Sequence, residues 1–129
     1  MALLVELEIN IFSNYGDRHV VFDEIVFKDD TGNTLPNTGV VLTSNSNFNS
    51  SGWELQKLLN GLYSSGGNVQ GWASLMHPTY PVWLKCVFPS GFDCASVTLV
   101  NRGDSDYSTT SPKDITITAF TQAMKTNTP

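Results

Sequence analysis

The sequence predicts an all-β protein, an antiparallel β-sandwich carrying one short helix. Three observations lead there. Thr, Ser, Asn, Gly and Val are abundant, whereas Ala-rich or Lys/Glu-rich helical runs are scarce, a bias toward pleated structure. Near the N-terminus apolar and polar residues alternate with the period of a half-buried strand. Along the rest of the chain short apolar runs recur between turn-forming clusters, which suits many short strands.

Leu3 to Phe12 opens the series, with Leu7, Ile9 and Ile11 on one face and Glu6, Glu8 and Asn10 on the other. Val20 to Lys28 reads as a second strand, ended by the turn Asp29-Asp30-Thr31-Gly32-Asn33. Val40 to Thr43 is a shorter third, followed by SNSNFNSSG, which reads as a surface loop. Trp53 to Asn60 is the one helix expected. Ser50 or Ser51 is placed to cap it, Glu54 suits its first turn, and Gly61 supplies a left-handed stop. Its Leu55, Leu58 and Leu59 are expected to lie on the sandwich. After a flexible SSGGNVQG loop come a short strand at Trp72-Ala73-Ser74 and three more, Val82 to Phe88, Ala95 to Val100 and Asp114 to Phe120. The tail KTNTP has nothing to bury and is expected to be mobile or used by a partner.

A chain of 129 residues suits a single domain, with its core over about 3–121 and the tail at 122–129. Hydrophobic residues make up 40% and charged ones 15%, the composition of a soluble globule. Seven basic residues against twelve acidic give a net charge of −5. No basic stripe is available to neutralise phosphates, so neither nucleic acid nor an anionic membrane is an expected partner. The opening MALLVELEIN lacks a basic start and carries Glu6 and Glu8 where a signal peptide's apolar core continues, so it reads as a strand. No apolar run approaches the ~20 residues that cross a bilayer. Cys86 and Cys94 are the only cysteines, readable as two buried thiols or as a bridge. No Cys and His spacing suits zinc.

The stretch from Pro81 to Ser108 carries the chemistry. It reads as two strands joined by a short turn, with Asn101-Arg102-Gly103-Asp104 where the second strand ends and His77 just before the first. A hairpin would bring this cation, acid and imidazole to related positions, and such groups hydrogen-bond sugar hydroxyls. Arg102 is equally suited to a pinning ion pair with Asp104 or Asp106, and His77 to plain solvation.

The order of features resembles the discoidin, or coagulation-factor C-terminal, domains. The resemblance rests on a capped helical turn, Asn60-Gly61, Trp72 with Ser74, Pro81-Val82-Trp83-Leu84, Val97-Thr98-Leu99 and Asn101-Arg102, and spans roughly residues 5 to 120. It implies a galactose-binding-like jelly-roll sandwich. Within that family the fucose-binding F-type lectins are similar in having a His, 24 intervening residues, then Arg-x-Asp, as His77 and Arg102-Gly103-Asp104 stand here. There the His and two basic residues bind the sugar and the Asp orients them. The second basic position is Thr109 in this chain, with Lys113 the nearest cation, and the cysteines often found after the Asp are replaced by Ser105-Asp106. Many members also hold structural Ca²⁺ near an Asp-Gly pair. This chain has Asn60 there and no acid after Asp114, so no cofactor is expected.

The resemblance also places Trp72 in the core and Trp83 half in it, leaving Tyr80, Tyr107, Trp53 and Tyr63 as aromatics for stacking. Asp23, Glu24, Asp29 and Asp30 read as solvated surface, and the chain carries no nucleophile elbow, phosphate loop or metal-binding His pair. The expected function is a non-enzymatic, lectin-like domain that recognises cell-surface glycans through His77, Arg102, Asp104, Tyr80 and Tyr107. Such shallow sites act through several copies, so a homo-oligomer or larger assembly is expected. The alternative is a structural virion subunit, a tail-fibre, baseplate or capsid-decoration protein at the virion surface, that uses the same sandwich for assembly.

Overall fold

Alternation along the first strand decides which side of its sheet is buried. In the computed structural model, which describes residues 3–50, 52–64, 69–102 and 108–121, this strand is β1 (Leu4–Asn14). Leu7, Ile9 and Ile11 are sealed from solvent while Glu6, Glu8 and Asn10 remain partly exposed. Seven strands follow: β2 (Val21–Phe22), β3 (Glu24–Lys28), β4 (Val41–Ser44), β5 (Trp72–Ala73), β6 (Val82–Val87), β7 (Ser96–Val100) and β8 (Pro112–Thr121). One layer is a four-stranded antiparallel sheet in the order β4-β6-β1-β8. Two antiparallel pairs, β2-β5 and β3-β7, supply the opposing elements. Ile9 and Leu84 from the first sheet and Phe22, Ile25, Phe27 and Trp72 from the pairs form one buried cluster, so the all-β sandwich is the architecture. Each such side chain stabilises the fold by about 1.5–3 kcal/mol relative to exposure. No described helix is long and apolar enough to cross a membrane.

Three expectations change. The run from Val20 to Lys28 is not one strand but breaks at Asp23, with β2 pairing to β5 and β3 to β7. Asp23 and Glu24, expected on the surface, are buried, because this break turns both carboxyls onto the 60–64 loop. The stretch after Pro81 is not a hairpin. β6 lies between β1 and β4, whereas β7 pairs with β3 in the other layer. The link between them holds Phe88 and Phe92, whose rings stack at 4.5 Å and both meet Phe27 edge-on. Backbone bonds from Leu4 N to the Phe92 carbonyl and from Phe88 N to the Val5 carbonyl tie this crossover to β1.

The expected helix is a short 3-10 segment, Leu55–Leu59, that starts after Glu54 with no side-chain cap. Trp53 precedes it and is buried elsewhere; Leu58 is sealed, and Leu55 and Leu59 pack beside the core. Gly61 is left-handed at φ 74°, the stop its residue type suggested. The Asp29 turn forms as expected. Its carboxylate accepts from Thr31 Oγ1 at 2.8 Å, Asn33 N at 2.9 Å and Thr31 N at 3.0 Å, and these bonds, the Thr31 hydroxyl first, hold it below the usual carboxylate range. Cys86 and Cys94 are both free and buried, which removes the bridged reading. The tail KTNTP lies outside the described residues.

Candidate functional site

Where β1 ends, Asn14 begins a tight loop that builds one end of the sandwich. Its Nδ2 donates to the carbonyls of His19 at 2.8 Å and Asp17 at 3.1 Å, while its Oδ1 accepts from Gly16 N. Gly16 takes φ 100°, a left-handed conformation that a side chain resists. Asp17 Oδ1 accepts from His19 N at 3.3 Å and Oδ2 from Thr109 Oγ1 at 3.1 Å. The loop Asp17-Arg18-His19 is therefore held by its own polar groups and pinned to the 108–110 turn.

His19 is fixed on its other side. Its Nδ1 lies 2.8 Å from the carbonyl of Ser74, a group that can only accept, so Nδ1 carries a proton. In the neutral ring Nε2 then presents a lone pair. Ser74 is sealed from solvent; its hydroxyl accepts from Val20 N and donates to the Leu75 carbonyl, which locks the strand beneath the imidazole. The imidazole also lies 4.8 Å from the Phe48 ring, tilted by 54°.

Arg102 comes to the same end from the far side. Its guanidinium lies over the Trp53 indole at 4.7 Å from the ring centroid, a cation–π contact of about 0.5–2 kcal/mol. Trp53 is itself buried against Val21 and Ala73, with Phe48 and Val69 beside it. Together these elements enclose a cavity of about 180 Å³. Asp17, Arg18, His19, Arg102 and Thr110 give it polar walls, and Phe48, Trp53, Val21 and Ala73 an apolar floor. Arg18 is exposed, and its side chain has no hydrogen bond or ion pair among the described residues.

The residues singled out from sequence divide. Arg102 is in this cavity, and Trp53, named as a stacking aromatic, supports it. His77 is not among the lining residues. It is exposed in a left-handed conformation at φ 50°, and only its backbone N reaches the neighbouring loop, at the Arg18 carbonyl. Tyr80 is half-buried and packs against the core, where burial pushes its phenol above the ordinary range. Tyr63 is exposed and lines a different cavity, beside Glu24. Asp104 and Tyr107 lie outside the described residues. Asp17, Arg18, His19 and Phe48 were missed. For the first three the signal was the run of acid, cation and imidazole after Asn14-x-Gly16, which reads as an ordinary turn, while Phe48 lies in the SNSNFNSSG stretch read as a surface loop.

A second polar cluster sits where the resemblance implied calcium. Asp23 Oδ1 accepts from Ser64 Oγ at 2.7 Å and Oδ2 from Ser64 N at 2.9 Å. Glu24 Oε2 accepts from Gly61 N at 2.8 Å, and the Asn60 amide bonds Leu62 N and Gln70 Oε1. Oxygens that a hard cation would need are thus committed to N–H and O–H donors, and among the described residues only Glu24 Oε1 is buried without a partner. Among the described residues no three His, Cys, Asp or Glu side chains gather as metal ligands. Among the described residues the donor set does not fit Ca²⁺. Burial, with a smaller push from the Asp23 charge, instead raises the Glu24 carboxyl to about 7 against the opposing bond from Gly61.

Comparison with family models, curated proteins and solved structures returns no match to this chain.

Proposed function

We propose that this protein is a non-enzymatic carbohydrate-binding domain whose site is the cavity between the 14–19 loop and Arg102. The observation that carries the reading is the convergence there of the exposed Arg18 guanidinium, which has no side-chain partner among the described residues, an acceptor on His19 and an Arg102 fork laid on an indole. A sugar ring presents hydroxyls in its plane and C–H groups on its faces. Arg18 and Arg102 donate to hydroxyl oxygens, His19 Nε2 accepts a hydroxyl proton, and the Phe48 and Trp53 floor receives the C–H face. The loop is pre-ordered by Asn14 and Ser74, so little is lost in ordering it on binding. The open, small site suits weak affinity per copy, and cell-surface glycans presented in arrays suit several copies.

A glycan-array screen of the wild type beside Arg18→Ala tests this. Arg18 is exposed and has no side-chain partner among the described residues, so its loss should leave the melting temperature unchanged while abolishing the signal. A glycan hit that survives Arg18→Ala would place the site elsewhere. A second reading, a structural subunit of a larger assembly such as a virion, draws support from the exposed β8 edge and predicts self-association without glycan binding.

A further inference from the structure

A second cavity lies beside β3, where one edge of that strand loses its partner. Along this edge Asp29 N donates to the Asn33 carbonyl and Leu35 N to the Phe27 carbonyl. Alternate residues of a strand turn their peptide groups to the same side, so Ile25 presents its N–H and carbonyl here too. Continued in register, the pairing would set Asn37 opposite Ile25. Instead the chain turns away at Pro36; the Asn37 carbonyl accepts from Val40 N and its Nδ2 donates to the Leu59 carbonyl. The Ile25 peptide is left with no hydrogen bond on this side among the described residues. The gap is a cavity of about 190 Å³, where Glu24, Ile25, Asn37 and Tyr63 bring polar groups and Phe27 and Leu35 apolar surface.

Glu24 gives this cavity its sign. The side chain is 3% exposed. Its Oε2 accepts at 2.8 Å from the backbone N of Gly61, itself a wall of the cavity, so the carboxyl lies between two walls. Oε1 is buried with no partner among the described residues. Asp23 beside it is a second buried acid, occupied with Ser64. On the 3-10 segment packed against β3, Lys57 is turned to the carbonyls of Gly52 and Val69, and β7 carries no charge. Among the described residues no Lys, Arg or His lines the cavity.

We propose that this cavity binds a primary alkylammonium, its head on Glu24 and its carbon stem along Leu35 and Phe27. Charge selects the head. A buried carboxyl with an unpartnered oxygen and no cation on the cavity wall is completed by one positive donor. Geometry selects an ammonium over a metal ion. A hard cation takes about six or more oxygens, whereas three diverging N–H donors are matched by Glu24, the Ile25 carbonyl and Asn37 Oδ1. The last torsion of a Glu side chain is soft, so Oε1 can turn to such a donor without moving the backbone. Size selects a short stem, since about 190 Å³ holds roughly six water-sized groups. The same head is carried by a free amine and by a lysine side chain of another protein. The inference is independent of what the cavity at the sandwich end binds.

Titration of the whole chain with n-butylammonium chloride, followed by amide NMR and by urea unfolding, reads the outcome. At pH 8 the Ile25 and Gly61 amides should shift saturably, and the unfolding midpoint should rise relative to sodium chloride of equal ionic strength. At pH 5 binding should weaken by roughly a hundredfold, because Glu24 holds its proton below about 7 and the neutral acid attracts a cation weakly. Glu24→Gln should abolish both responses, and tetramethylammonium, which has no N–H, should give neither. Nα-acetyl-lysine N-methylamide separates the two sources: binding equal to that of n-butylammonium marks a lysine side chain, and its exclusion marks a free amine. No response at pH 8, a response that Glu24→Gln retains, one equal at both pH values, or one that tetramethylammonium reproduces would overturn the proposal.

Discussion

Replacing Glu24 by Gln should remove most of the pH dependence of stability near neutrality. Glu24 is 3% exposed, with one carboxyl oxygen bonded to Gly61 N and the other without a partner among the described residues. Burial raises it from 4.5 to about 7 in the folded protein. The folded state therefore holds a proton that the unfolded chain releases. The resulting stabilisation is fully present below about pH 4.5 and is lost as pH rises through about 7. At roughly 1.4 kcal/mol per pH unit the loss is about 3 kcal/mol, a large share of a typical total of 5–15 kcal/mol. The Glu24→Gln side chain keeps an oxygen for Gly61 and cannot ionise. Urea denaturation at pH 5 and pH 8 should show the wild type weakening and the variant nearly level, with the variant the more stable at pH 8. Parallel pH profiles for the two proteins would refute the assignment. Rescue of the wild type at pH 8 by calcium would refute the reading of this cluster as metal-free.

Two further changes probe the core. A Cβ at Gly71 would collide with the carbonyl oxygen of Phe22, backbone against backbone, so Gly71→Ala should cost at least about 3 kcal/mol in urea titration and leave little folded protein at 37 °C. Burial pushes the Cys86 thiol up to about 12 and raises Cys94 as well, so neither should react with iodoacetamide at pH 8 while folded. In urea without reductant both should alkylate; failure to do so would mean that they are bonded.

Strand content was legible because alternation and turn residues agree along most of the chain. Leu7, Ile9 and Ile11 face inward as their spacing requires, and the Asp29 turn bonds its own backbone. What was not legible depends on partners distant in sequence. The run Val-Phe-Asp-Glu-Ile-Val reads as part of one strand with two acids in its middle, and the break that buries those acids is tied to the amides of Gly61 and Ser64, far away in sequence. The crossover after β6 looks like a turn because Ser90-Gly91 is a turn, yet Phe88 and Phe92 carry it between layers. In the candidate site, Arg102 and Trp53 were visible singly, but their stacking joins residues far apart in the chain. His77 attracted attention through its spacing to Arg102, whereas His19, which shares the cavity with Arg102, lies on a loop that β1 and Asn14 position.

That pair of histidines gives the most direct test of the central claim. The same glycan array, read with His19→Ala and His77→Ala side by side, separates the cavity from the neighbouring loop. Binding that disappears with His19→Ala and persists with His77→Ala is the predicted result. Binding that follows His77 instead, or a folded wild type silent on every glycan, would contradict it.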